Sequence, residues 1–214
     1  MSKDQPAIAK RGRPRDPKRL QKIFEAASQQ FLEHGYDRVS MDAVASAAGV
    51  SKMTLYNNFA SKDALFEACV AYRTTGIFAG FSDDMLDPKR PTEALTLIAQ
   101  QFISLMRADD VIRIHRVMFG LATTHPDICA RFYSAGPEHV NLYVQDYLKA
   151  AVAAGSLAIS HISQAADQFL ALNLGRSHLK ATMGLGKPSA EADALLVHEN
   201  VAMFIARYGK QNLS

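Results

Sequence analysis

The chain has 214 residues, with 24 Lys and Arg against 21 Asp and Glu, two Cys and no Trp, a composition that fits an ordinary globular protein of one or two domains. Its net charge of +3 is unevenly placed: residues 1–22 hold eight basic and two acidic side chains, a net of +6 that leaves −3 for the remainder. A basic end on a mildly acidic body points to a polyanionic partner, either nucleic acid or an anionic membrane surface. Hydrophobic content of 48% excludes a disordered chain. The charge-free stretch 150–166 is too short for a bilayer and is broken by Gly155, His161 and several serines. The opening MSKDQPAIAKRGR lacks the apolar core of a secretory signal, and two widely spaced cysteines make no disulfide framework. These features place the protein in a reducing cytoplasm with Cys69 and Cys129 buried and inert.

In chain order, the first element is a basic arm, 1–16. Its run RGRPR sets Arg11, Arg13 and Arg15 around Gly12 and Pro14, a narrow backbone from which arginines can enter a minor groove, with preference for a narrow, A·T-rich one. A solvated tail is the alternative. Leu20, Ile23, Phe24, Ala27 and Phe31 then form one helical stripe ending near Gly35.

Residues 39–65 read VSMDAVASAAGVSKMTLYNNFASKDAL. Ser40 is placed to cap a short helix, the small residues 43–48 allow a close helix crossing, and Gly49 suits the left-handed turn that ends it. Ser51 can cap the next helix. There Leu55 and Phe59 face inward, with Val50 just before, leaving Lys52, Met53, Thr54, Tyr56 and Asn57 outside. This is the layout of a helix-turn-helix whose second helix enters the major groove, although a plain helical hairpin with a solvated face shares part of the pattern. Thr54 and Tyr56 offer hydroxyls to phosphates, and Lys52 a charge. Asn57 offers a two-pronged partner for adenine, and Met53 an apolar surface for a thymine methyl. Ser40 and Lys62 begin flanking helices and can fix the DNA backbone.

A helix over about 62–80 should join a DNA-binding unit, 17–65, to a larger helical unit, 66–214, with the composition changing near 85 and prolines at 88 and 91. Helical stripes follow at Leu95, Ile98, Phe102, Leu105 and Met106, at Val140, Tyr143, Val144, Tyr147 and Leu148, and at Ala194, Val197, Val201, Phe204, Ile205 and Tyr208. Prolines at 126, 137 and 188 are read as further breaks. No segment alternates like a strand, so the fold is all-α with about nine helices. Segments 163–182 and 190–208 carry apolar residues on more than one stripe, which a monomer would leave exposed.

Residues 39–65, preceded by KRGRPRDPKRLQKIFEAASQQFLEHGYDRVS, resemble the DNA-binding domain of the TetR family of bacterial transcriptional regulators, most specifically in GVSKMTLYNNFASKDAL. The resemblance implies a dimer of all-α subunits, each with an N-terminal helix-turn-helix and a larger domain that often holds a small-molecule pocket. It implies DNA contacts at Ser40, Lys52, Thr54, Tyr56 and Lys62, with Met53 and Asn57 as base readers. Met53 stands where Gly or Ala is commoner and Asn57 where His is frequent, departures that bear on operator sequence. The runs FYSAGPEHVNLYVQDYLKAAVAAGSL, AADQFLALNLG and VAMFIARYG resemble the AefR-like subgroup, which implies that 163–182 and 190–208 pack with their counterparts in a four-helix dimer interface.

Candidate pocket residues are the large side chains of the middle helices: Phe102, Met106, His115, Met118, Phe119, Phe132, Tyr133, Tyr143, Tyr147 and Phe169. For each, the alternative is a core residue at helical spacing. Tyr143 and Tyr147, one turn apart, are the foremost pair. No enzyme is expected: the seven histidines show no zinc spacing, there is no Gly-rich phosphate loop or nucleophile motif, and the adjacent Asp109 and Asp110 diverge on a helix. No cofactor or metal is expected either. The expected function is a homodimeric repressor released from a palindromic operator by a small apolar effector. Alternatives are a DNA-binding dimer without effector and a redox-responsive regulator using Cys69 or Cys129.

Overall fold

The computed structural model describes residues 17–82 and 84–210. Arg11, Arg13 and Arg15 of the basic arm lie outside the described residues. The helices are α1 (Pro17–Arg38), α2 (Met41–Ala47), α3 (Lys52–Asn58), α4 (Lys62–Phe78), α5 (Pro91–Arg107), α6 (Asp109–Leu121), α7 (Pro126–Tyr133), α8 (His139–Ala153), α9 (Ile162–Thr182) and α10 (Ala190–Tyr208). A five-residue π segment, Ser134–Glu138, joins α7 to α8 without a break. Counting that rod once gives nine helices among the described residues, and the only extended pairing there is an isolated bridge between Leu157 and Gly209.

Proline marks helix starts at 17, 91 and 126, where a missing N–H removes no intrahelical bond. Pro137 does not end its helix as expected. It sits inside the π segment, whose widened turn accommodates a residue that cannot donate. Beside it Gly136 is packed against α4: a Cβ there would lie 3.1 Å from Val70 Cγ1.

Two apolar cores organise the helices. In the first, Ile23, Ala27 and Phe31 of α1 meet Val44, Leu55, Leu65 and Phe66, closed by Met118 of α6 and Ile128 of α7. The second is built from α5, α8, α9 and α10, with Leu95, Ile98, Val144, Leu148, Phe169 and Val201 at its centre. Helix α4 enters both, through Leu65, Phe66 and Cys69 at one end and Phe78 at the other.

One buried ion pair ties α5 to α10. Arg107 reaches Asp193 through Nε–Oδ2 at 3.1 Å and Nη2–Oδ1 at 2.9 Å, with side chains only 10% and 16% exposed. Removing one partner of such a pair strands a desolvated charge. Asp193→Ala is therefore expected to lower stability by about 3–5 kcal/mol, read as a urea midpoint shift. The paired replacement Arg107→Met with Asp193→Leu should recover most of it.

Candidate nucleic-acid interface and internal cavity

The groove-facing unit is assembled by local capping. Ser40 Oγ accepts from Ala43 N at 3.1 Å to start α2. The helix ends in a Schellman turn: Gly49 N donates to Ser46 O, Val50 N donates to Ala45 O, and Gly49 has φ +65°. Ser51 Oγ then accepts from Thr54 N at 3.1 Å and caps α3. Leu55 and Phe59 seal the inner face, and Lys52, Tyr56 and Asn57 stand exposed beside Met53, which is 74% exposed. An exposed Met and Tyr on a two-turn helix present an apolar and hydroxyl-bearing surface outward.

Three of the candidate contacts are already engaged. Thr54 is half-buried and its hydroxyl lies 2.8 Å from that of Ser51. Lys52 Nζ pairs with Asp42 at 2.6 Å, and that carboxylate raises the lysine above its ordinary range. Such an exposed pair is weak and readily exchanged. Lys62 donates to the Tyr36 carbonyl at 2.9 Å and sits 4.3 Å above the Tyr36 ring, while the Tyr36 hydroxyl donates to Asp63. Lys62 thus fastens the start of α4 to the end of α1.

Between the two cores lies a cavity of about 260 Å³. Its wall is shared: Ser28, Phe31 and Leu32 come from α1, Phe66, Cys69, Val70, Arg73 and Thr74 from α4, and the rest from α5 to α9. Of the sequence candidates, Phe102, Met106, His115 and Phe132 line it. Six do not. Met118 and Phe169 are filled core, Phe169 lying against Phe204 at 5.2 Å, and Phe119 and Tyr133 face solvent. Tyr143 stacks flat on Phe78 at 4.0 Å, and Tyr147 is buried with its hydroxyl 3.5 Å from the Asp87 carbonyl. The two α8 tyrosines are turned toward Phe78 at the end of α4 and the Asp87 carbonyl before α5, which helical periodicity alone does not reveal. The α1 and α4 wall is not anticipated from the sequence, where α1 reads as part of the DNA-binding unit and α4 as a joining helix, and the pocket is sought on the middle helices.

Residues 23–69 match the family model described as bacterial regulatory proteins, tetR family. Residues 93–210, over half the chain, match the AefR-like transcriptional repressor C-terminal domain. The chain belongs to the TetR family. It is 29% identical over 119 residues to the transcriptional activator FasR of Mycolicibacterium smegmatis, covering 55% of this chain and 53% of that protein. It is 28% identical over 134 residues to the A-factor receptor protein of Streptomyces griseus, covering 58% and 46%. The chain thus spans about half the length of these curated relatives. Among solved structures, the flavonoid-responsive regulator FrrA superposes with TM-score 0.69 at 29% identity, covering 92% of this chain and all of that one. The family is one of DNA-binding transcriptional regulators, and no described helix is long and apolar enough to cross a membrane.

The polar features of this TetR-family cavity are few. His115 Nδ1 lies 2.7 Å from His178 Nε2, and His178 Nδ1 lies 3.1 Å from the Met106 carbonyl. Burial, with His178 adding to it, pushes His115 down to about 4, and burial also lowers His178. Both rings are neutral at pH 7. Burial pushes the Cys69 thiol up to about 12, which keeps it protonated and unreactive. Cys129, expected to be buried, is half-buried, with its Sγ 3.5 Å from the Met118 carbonyl.

A neutral buried histidine binds fewer protons than its unfolded counterpart below pH 6.5, so stability falls with pH from there toward about 4. For His115 the loss approaches about 3 kcal/mol. Urea midpoints measured between pH 7 and 4 should show it, and His115→Phe should flatten that part of the profile.

Proposed function

We propose that this TetR-family regulator acts as a homodimeric repressor whose paired α3 helices read a palindromic operator, and that a small, largely apolar effector releases it. The observation that carries this reading is the shared wall of the cavity. Side chains of α1 and α4, which carry the groove helix, and of the C-terminal helices face one space, so an occupant bears on both. The flavonoid-responsive name of FrrA, 29% identical over most of this chain, supports an aromatic effector, and the AefR-like repressor match supports the sign of regulation.

The working division is an arm, 1–16, a DNA-binding unit, 17–65, and an effector and dimerisation unit, 66–214. Lys52, Thr54, Tyr56 and Lys62, with the caps Ser40 and Ser51, hold the phosphate backbone. Met53 and Asn57 meet base edges, and Arg11, Arg13 and Arg15 enter the flanking minor groove. Leu179 on α9 and Leu195 and Met203 on α10 are large apolar side chains left more than half exposed, which suits pairing of α9 and α10 with a second copy. Half-sites one turn apart require recognition helices about 34 Å apart, and a swing from 1:99 to 99:1 between separations takes about 5.5 kcal/mol of differential ligand affinity. The activator FasR is a relative too, so a reporter fused to the regulated promoter decides the sign: deletion of the regulator should raise expression, and lowered expression would make it an activator.

On an operator obtained by selection of bound DNA, Tyr56→Ala should weaken binding to every sequence and lower its salt dependence, whereas Asn57→Ala should relax preference at particular bases by about 1–3 kcal/mol. Unchanged operator affinity in Tyr56→Ala would remove α3 from the groove. An effector should bind free protein more tightly than operator-bound protein, by the factor with which it weakens operator binding. Equal affinity for both forms would leave the C-terminal helices a role in dimerisation alone.

A further inference from the structure

The two histidines at the cavity define its polarity. Each neutral imidazole carries one proton. The Met106 carbonyl can only accept, so its 3.1 Å contact places the His178 proton on Nδ1. His178 Nε2 is then a lone pair, and the 2.7 Å bond to it must be donated by His115 Nδ1. His115 Nε2 is left as an acceptor, with no protein partner among the described residues. His115 lines the cavity and His178 does not. The reverse arrangement would set the His178 Nδ1 lone pair against the Met106 oxygen.

The other polar groups of the wall are already paired. The Thr74 hydroxyl donates its proton to the Val70 carbonyl at 2.8 Å and keeps only lone pairs to offer. Ser28 is hydrogen-bonded to the Cys69 thiol. Arg73 and Asp110 face one another across the wall at 2.9 and 3.5 Å, a compensated pair of opposite charges. The unpartnered acceptor on His115 is therefore the position where a donor on an occupant is matched.

We propose that the His178–His115 relay makes this a site for an aromatic molecule that donates a hydroxyl hydrogen bond to His115 Nε2. The inference rests on the effector-cavity reading above and deepens it. At about 260 Å³ the space lies just below the roughly 300–1,000 Å³ of drug-sized pockets, which suits a one- or two-ring compound better than a long acyl chain. Rings of Phe102 and Phe132 flank it. A phenolic hydroxyl fills the open position on His115, which an ether or a carboxylate, having no proton to donate at pH 7, cannot.

Calorimetric titration of the full chain at pH 7.5 with 2-naphthol, its methyl ether 2-methoxynaphthalene and 2-naphthoate tests this. The expected order is 2-naphthol tightest, with the ether about tenfold weaker, the worth of one hydrogen bond, and the naphthoate also weaker than the naphthol. In His115→Phe the naphthol-to-ether ratio should fall to about one while the ether still binds. Nitrogen-15 NMR of the unaltered protein gives a readout that needs no variant: His115 should be protonated at Nδ1 and bare at Nε2. Equal binding of naphthol and ether, preferential naphthoate binding, or a proton on His115 Nε2 would overturn the inference and leave the effector cavity standing. Binding of none of the three would overturn the cavity reading along with it.

Discussion

Helix α4 is held at both ends and in the middle. Leu65 and Phe66 are locked into the core of α1 to α3, Phe78 stacks on Tyr143 in the second core, and between them Val70 meets Gly136 of the π segment so closely that a methyl group there would press on Val70 Cγ1. Close-packed interiors transmit displacement because they do not compress. The start of α4 is in turn clamped to α1 by Lys62 and by the Tyr36–Asp63 hydrogen bond. Any change in the setting of α4 against α8 is therefore carried to α1 and to α2 and α3, which share its core. The cavity opens along the middle of this helix, where Val70, Arg73 and Thr74 face it, so the position of the empty space and the route out of it share one element.

What was legible in the sequence was local. Ser40 and Ser51 sit three residues before the amides they cap, and Gly49 supplies a left-handed turn that other residues adopt at a cost. Spacing within a few residues fixes both. The stripe of α5 is likewise buried from Leu95 to Met106, because period 3.6 records which side of a helix is dry. It does not record whether that side meets solid core or a void. Tyr143 and Tyr147 show the limit: their apolar spacing is real, but Phe78 and the Asp87 carbonyl occupy the space before them. Pro137 shows another, since a proline penalty assumes an α-helical turn and a π turn changes the hydrogen-bond pattern. His115 and His178 lie 63 positions apart, and only the packing of α6 on α9 brings their rings together.

The polar ties sort the seams between helices by how easily they can be remade. Arg107 and Asp193 are buried and doubly bonded across α5 and α10. Arg116 closes the end of α9, donating to the carbonyls of Thr182 at 2.6 Å and Ala181 at 2.8 Å. Separating either exposes the interior to an unpaired charge or to unsatisfied carbonyls. The ties that hold α4 to its neighbours are of another kind. Arg73–Asp110 reaches α6 and Arg131–Glu67 reaches α7, and all four side chains are at least 40% exposed. Exposed pairs contribute at most about 1 kcal/mol and exchange readily with water. The polar ties of the C-terminal frame of α5, α9 and α10 are thus costly to break, while the polar ties of α4 to α6 and α7 are cheap, and what holds that seam is chiefly the apolar core that Met118 and Ile128 share with Phe66 and Cys69. The cavity lies along this seam, where the polar ties add least to the packing.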